Sequence, residues 1–172
     1  MDRILPGVLV LSAAVVVFAL FALGWRNRLK RQSDVERLPT VPERLSPAGI
    51  VAEGQYVATT TAGDWLDRIA VQGLGFRGNA ELSVHPEGVL FDRAGNDPLF
   101  VPADAVTECR TASGMAGKFV EKDGLVVVSW KLGERELDTG FRTKQAADKQ
   151  PLLEALQELI SAAPQADADS GK

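Results

Sequence analysis

The stretch Gly73-Leu74-Gly75-Phe76-Arg77-Gly78 has the GxGxxG spacing with which backbone amides cradle a dinucleotide pyrophosphate. That chemistry needs a strand before the glycines and a helix starting among them, so that the helix N-terminus meets the phosphates. Here Asn79–Val84 continues in a strand pattern, and the glycines read as a turn. Gly114-Met115-Ala116-Gly117-Lys118 approaches a nucleotide phosphate loop, but Ala112 stands where that loop wants Gly and Phe119 where it wants Ser or Thr. His85 is the only histidine and sits before Pro86 in a turn, without the second ligand or nucleophile that a metal site or triad requires; it is expected to be exposed. Cys109 is the only cysteine, so no intramolecular disulfide forms. With Glu108 and Arg110 as neighbours, nothing in the sequence lowers its thiol pKa, and a buried or half-buried strand position is expected. Glu53, Asp64, Asp67, Asp92, Asp104 and Asp138 are carboxylates on short strands and turns, where spacing alone selects no acid/base pair. Asp138 and Arg142 are four apart on one strand face and are expected to form a structural ion pair. No catalytic, cofactor-binding or metal-ligating residue is therefore assigned, and no cofactor is expected. What remains is a loop presenting Met115, Lys118 and Phe119, which together with Arg142 are the candidate partner contacts.

The elements that would carry these residues are mostly strands. Between Gly49 and Arg142, short β-branched and apolar runs alternate with turn residues. The expected strands are Ile50–Thr61, Trp65–Val71, Glu81–His85, Val89–Asp92, Leu99–Val101, Ala105–Thr111, Lys118–Glu121, Leu125–Lys131 and Glu136–Phe141. Lys122-Asp123-Gly124 and Ala62-Gly63-Asp64 are hairpin chemistry, because Gly and Asp tolerate positive φ. Leu125–Trp130 reads as a central strand buried on both sides, and Trp65 and Trp130 are expected in the core. Leu152, Leu153, Leu156, Leu159 and Ile160 lie on one face of a closing helix that Asp148 is placed to cap.

At the other end, Ile4–Gly24 runs 21 residues without a charge. At ~1.5 Å per residue such a helix is about 31 Å long, the thickness of a bilayer's hydrocarbon core. A transmembrane helix over 4–25 is expected, uncleaved because a basic cluster rather than a cleavage site follows it. Trp25, Arg26, Arg28, Lys30 and Arg31 are the expected membrane-surface residues, with lipid contacted through the anchor. Their charge places the N-terminus outside and the body in the cytoplasm at the cell membrane; the alternative puts the domain on the outer face. The expected organisation is a short tail at 1–3, the span at 4–25, a basic segment and Pro-containing linker at 26–48, one domain at 49–163 and an acidic tail at 164–172. Residues 49–163 hold 11 basic against 17 acidic residues, a poor balance for nucleic-acid binding.

An antiparallel bent sheet or barrel closed by one C-terminal amphipathic helix resembles the pleckstrin-homology-like superfold. More narrowly, Gly114–Arg142 (GMAGKFVEKDGLVVVSWKLGERELDTGFR) and Ala52–Gly78 (AEGQYVATTTAGDWLDRIAVQGLGFRG) resemble small bacterial single-span membrane proteins that carry such a bacterial PH domain. The resemblance implies a mainly β fold and a membrane address, but no reaction. Phosphoinositide-binding relatives place Lys and Arg around the first hairpin; here Thr59–Arg68 carries two Asp and one Arg, so phosphoinositide binding is not expected. The reading is a non-catalytic, membrane-anchored interaction module with a protein partner. The alternative is a small-ligand sensor or an accessory subunit of a membrane transporter or enzyme, which needs an open apolar mouth in the barrel.

Overall fold

The computed structural model describes residues 4–31 and 36–163, without the side chains of Ile4–Pro6, Leu9, Trp25 and Asn27–Arg31. The terminal tails and the side chains of Trp25, Arg28, Lys30 and Arg31 lie outside the described residues.

The chain forms two units, divided between Asp34 and Val35. The first is a helix, α1 (Ile4–Arg31), continuous over 28 residues. From Val10 to Gly24 every side chain is exposed, including the consecutive Val15, Val16, Val17 and Phe18, which between them occupy all sides of the helix. Among the described residues, no helix is long and apolar enough to cross a membrane.

The second unit is an antiparallel sheet and one helix. Its strands are β1 (Ile50–Thr61), β2 (Asp64–Arg68), β3 (Gly78–His85), β4 (Gly88–Arg93), β5 (Leu99–Pro102), β6 (Val106–Ala112), β7 (Gly114–Met115), β8 (Lys118–Phe119), β9 (Leu125–Leu132) and β10 (Arg135–Thr143). They order as β5-β4-β3-β1-β10-β9-β6, with β2 paired to β1 and with β7-β8 as a separate hairpin. The first strand matches the sequence expectation residue for residue, because it ends at a turn in which Gly63 takes positive φ. The expected strand Trp65–Val71 stops at Arg68. There the chain leaves the sheet to bury Ile69 and Leu74, and the amide of Ile69 donates to the Thr59 carbonyl at 2.9 Å.

Inward side chains from β1, β3, β4, β5, β6, β9 and β10 join one core, closed by α2 (Lys149–Ala162). Leu152, Leu153, Leu156 and Leu159 of α2 are buried in it. Asp148 precedes the helix but makes no capping hydrogen bond, contrary to expectation; it closes a short 3-10 turn, Ala146–Asp148, in αR geometry, whereas a capping residue is extended. β9 is buried on both faces, as its unbroken apolar run implies.

A polar chain threads this core. Tyr56 donates its hydroxyl to the Leu74 carbonyl at 2.9 Å, so it must accept from Thr59, 2.6 Å away. Thr59 then accepts from Thr139 at 2.8 Å, which accepts from the Trp130 indole at 2.9 Å. Each hydroxyl donates once and accepts once, which is how a low-dielectric interior tolerates four polar side chains. Burial pushes the Tyr56 phenol up to about 12.

The segment 36–48 is not a free spacer. Gln72 accepts the Leu38 amide at 2.9 Å and donates to the Glu36 carbonyl at 2.8 Å, while Leu38 packs on the core. Further along, the hydroxyl of Ser46 donates to Glu87 at 2.5 Å and its carbonyl lies 2.7 Å from His85 Nδ1. His85 is consequently half-buried and engaged on both ring nitrogens rather than exposed, with Nε2 2.9 Å from the Ser83 hydroxyl.

Candidate functional site

The outer face of β1, β3, β4 and β10 forms the wall of an open cleft of about 740 Å³. Alternation along each strand turns Glu53 and Gln55, Asn79 and Glu81, and Arg142 towards it, while their sequence neighbours Ala52, Tyr56 and Leu82 go into the core. Register sets Glu53 against Glu81 and Glu81 against Asp92, a row of three carboxylates across three strands. Like charges opposite each other repel, and one end is neutralised: Lys144 Nζ lies 2.9 Å from Glu53 Oε2. That hydrogen bond holds the Glu53 carboxyl below its ordinary range and the Lys144 ammonium above its own. On the other wall Arg142 Nη2 lies 2.8 Å from Glu121, whose carboxyl is lowered by its own backbone amide and then by Arg142. Lys149, from the first turn of α2, donates to the Asp123 carbonyl at 2.9 Å. The cleft thus offers fixed charges of both signs on rigid strands, suited to holding a polar or charged group. Among the described residues, no set of three His, Cys, Asp or Glu is placed to hold a metal ion.

The four candidate contacts separate. Met115 is only 2% exposed and belongs to a second apolar cluster with Val57, Leu125 and Val127, so it is a packing residue and not a surface contact. A Cβ at Gly140 would stand 2.5 Å from its sulfur, so glycine at that position is what lets the β7-β8 hairpin lie flat on the sheet. Ala116 and Gly117 turn that hairpin with positive φ at both positions. Lys118 and Phe119 are exposed on its outer strand. Arg142 lies in the cleft with Glu121, not with Asp138. Asp138 is buried and instead receives Arg110 Nη2 and the Ser129 hydroxyl, each at 2.6 Å, because β9 and β6 bring those residues beside it. Cys109 is half-buried, and burial raises its thiol pKa, with Glu108 adding to the shift.

Two features had no local sequence signal. Arg93 is buried: Nε and Nη2 donate to the Asp97 carbonyl at 2.9 and 2.6 Å, Nη1 donates to the Gly73 carbonyl at 2.9 Å, and Cζ lies 5.0 Å from the Tyr56 ring centroid. The second is an apolar tip. Trp65, expected in the core, is 40% exposed and packs on Phe119 with centroids 5.4 Å apart, since β2 is a short strand that branches from β1 and buries none of its side chains fully. Leu66 and Phe76 are exposed as well, at 59% and 63%.

Residues 35–157 match the family model described as bacterial PH domain-like. The chain belongs to the bacterial PH domain-like family. Its family domain therefore takes in the strapped segment from residue 36 as well as the sheet and most of α2. A chain of the 8S snRNP assembly intermediate shares the fold at a TM-score of 0.50, with 7% identity over 80% of this chain and 97% of that one. A structure of inhibited Vav1 is similar at a TM-score of 0.41, with 17% identity over 80% of this bacterial PH domain-like chain and 32% of the chain in that structure. The Spt16D–Pob3N heterodimer is similar at 0.41, with 9% identity over 75% and 62% of the two chains. No curated protein matches the sequence.

Proposed function

We propose that this bacterial PH domain-like protein is a non-catalytic interaction module, held by α1 in the cell membrane with its domain on the cytoplasmic side, and that it binds a protein partner through the polar cleft. The observation that carries the reading is the uncharged 21-residue run Ile4–Gly24 in the sequence, which lies within α1, with apolar side chains exposed on every side from Val10 to Gly24. A helix apolar all round is suited to a core or to lipid, not to water. Positive charge after the span supports the cytoplasmic side. What supports binding rather than reaction is that four of the cleft's charges are held in the pairs Glu53–Lys144 and Arg142–Glu121, and its described lining carries no Ser, Cys or His to serve as a nucleophile with a base. Phosphoinositide recognition is not proposed. The first hairpin carries Asp64 and Asp67, and its one cation, Arg68, donates to the Gly75 and Ala116 carbonyls at 3.3 and 3.1 Å.

The test is a photo-cross-linker at Gln55 on the cleft wall, activated in intact membranes, with capture of the full chain. One defined protein should be recovered, and lost when Arg142→Glu reverses the charge beside it. A protein recovered equally from both would move the surface elsewhere, and recovery of none would overturn partner binding.

A further inference from the structure

We infer that the partner held in the cleft is an extended peptide segment that places an arginine side chain between Glu81 and Asp92; this rests on the cleft reading above. Strand register lays two rows of side chains across the cleft floor. The first is acidic: Asp92, Glu81 and Glu53 stand opposite one another on β4, β3 and β1, and Lys144 closes the row at Glu53. The second is neutral and then basic: Asn79, Gln55 and Arg142 are paired in register across β3, β1 and β10. Lys144 leaves the first row only partly neutralised. Among the described residues, neither Glu81 nor Asp92 has an ion-pair or side-chain hydrogen-bond partner, although both are exposed and directly opposite. Like charges so placed weaken a sheet, and a cation brought from outside the domain relieves that cost. The cleft as a whole favours the same sign, since its lining carries Glu53, Glu81, Asp92 and Glu121 against Arg142, Lys144 and Lys149. Residues directly opposite hold their Cβ atoms about 4.5–5.5 Å apart, so both carboxylates are within reach of one guanidinium. Its planar fork of five donors can meet the two together, whereas an ammonium is a point charge without that fork.

The second row indicates what carries the arginine. Gln55 Oε1 accepts from Arg77 Nε at 3.0 Å, which leaves the Gln55 amide NH2 to donate. Asn79 is exposed, and its amide has no partner among the described residues. Arg142 holds Glu121 through Nε and Nη2, which leaves Nη1 to donate to a carbonyl. A line of donors and acceptors across three rigid strands matches the alternating N–H and C=O groups of an extended chain. The acidic row thus selects the side chain and the amide row holds its backbone.

The test uses the isotope-labelled full chain in phosphatidylcholine nanodiscs, whose lipid carries no net charge. Three probes are compared: acetyl-Gly-Ser-Arg-Ser-Gly-amide, and the same peptide with lysine or with citrulline, the neutral isostere of arginine, at its centre. The arginine peptide should shift the amide resonances of Glu81 and Asp92 to saturation. The lysine peptide should need a higher concentration, and the citrulline peptide should leave them in place. Glu81→Gln/Asp92→Asn should weaken binding of the arginine peptide roughly tenfold, as loss of two exposed ion pairs implies. That variant should melt no lower than the parent, because the repulsion between the two side chains is gone. Equal binding of the arginine peptide and either of the others, or shifts that fail to saturate with arginine, would overturn the inference. The same double variant, with the photo-cross-linker at Gln55 in intact membranes, separates the arginine from the cleft. A protein captured undiminished by it would overturn the arginine and leave the cleft as the partner's site. Capture of none by the otherwise unaltered cleft would overturn both.

Discussion

The two α-helices among the described residues are both rich in Leu and Ala, and they treat their apolar residues in opposite ways. On α2 the apolar residues form one stripe and all four leucines of that stripe are buried against the sheet. On α1 they cover the whole circumference, with Val10, Leu11, Phe18 and Phe21 each two-thirds exposed or more. A stripe has a complementary surface inside the domain, whereas a full cylinder needs a surrounding medium. The pattern of apolar residues, rather than their number, is what distinguishes the two helices.

The contrast can be broken at either helix. Leu156→Ala should remove about 2–5 kcal/mol from domain stability, as truncation in a packed core does, seen as a lower melting temperature; Val16→Ala on α1 should leave that melting unchanged. Phe18→Arg should invert the result. A charge at the centre of a span costs about 2.5–3.5 kcal/mol of insertion, so vesicle flotation should show weakened membrane association with the domain's melting unaltered. The dryness that α2's leucines enforce has its own readout in Tyr56, the only tyrosine. Its phenol is raised in the folded state from 10.0 to about 12, so between those values the unfolded chain has lost the proton that the folded chain keeps. Stability must then fall as pH rises above about 10, approaching ~1.4 kcal/mol per pH unit. Absorbance at 295 nm should show tyrosinate appearing near pH 12, and Tyr56→Phe should abolish that part of the alkaline loss. At the exposed end of the scale, Lys144→Ala breaks an ion pair in water, and its melting temperature should match the parent's. A clear loss there would mean that the carboxylate row on β1, β3 and β4 needs its counter-ion.

How far the sequence reveals this arrangement depends on whether a residue's partner is local. A β-branched and apolar run with a Gly-containing turn delimits β1, and a 3.6-residue period delimits α2, because both signals are written in neighbouring residues. The segment after residue 36 looks like a Pro-spaced linker; its partners Gln72 and Glu87 are 34 to 41 residues away and no period announces them. Trp65 and Trp130 are the same residue type with opposite burial, because Trp65 lies on the short branch strand β2 and Trp130 on the central strand β9. Met115 becomes a core residue only because Gly140 stands opposite it. The cleft draws its wall from β1, β3, β4 and β10, so its charges meet only after registration. Arg93 gives no warning either, since a lone Arg at a strand end reads as a surface residue until the Gly73 and Asp97 carbonyls are folded onto it.

The most direct test of the membrane-held module is an alkaline carbonate wash of membranes from cells making the unaltered full chain. The chain should remain in the pellet and be released only by detergent. Its appearance in the wash would contradict a spanning α1 and, with it, the account of what this chain is for.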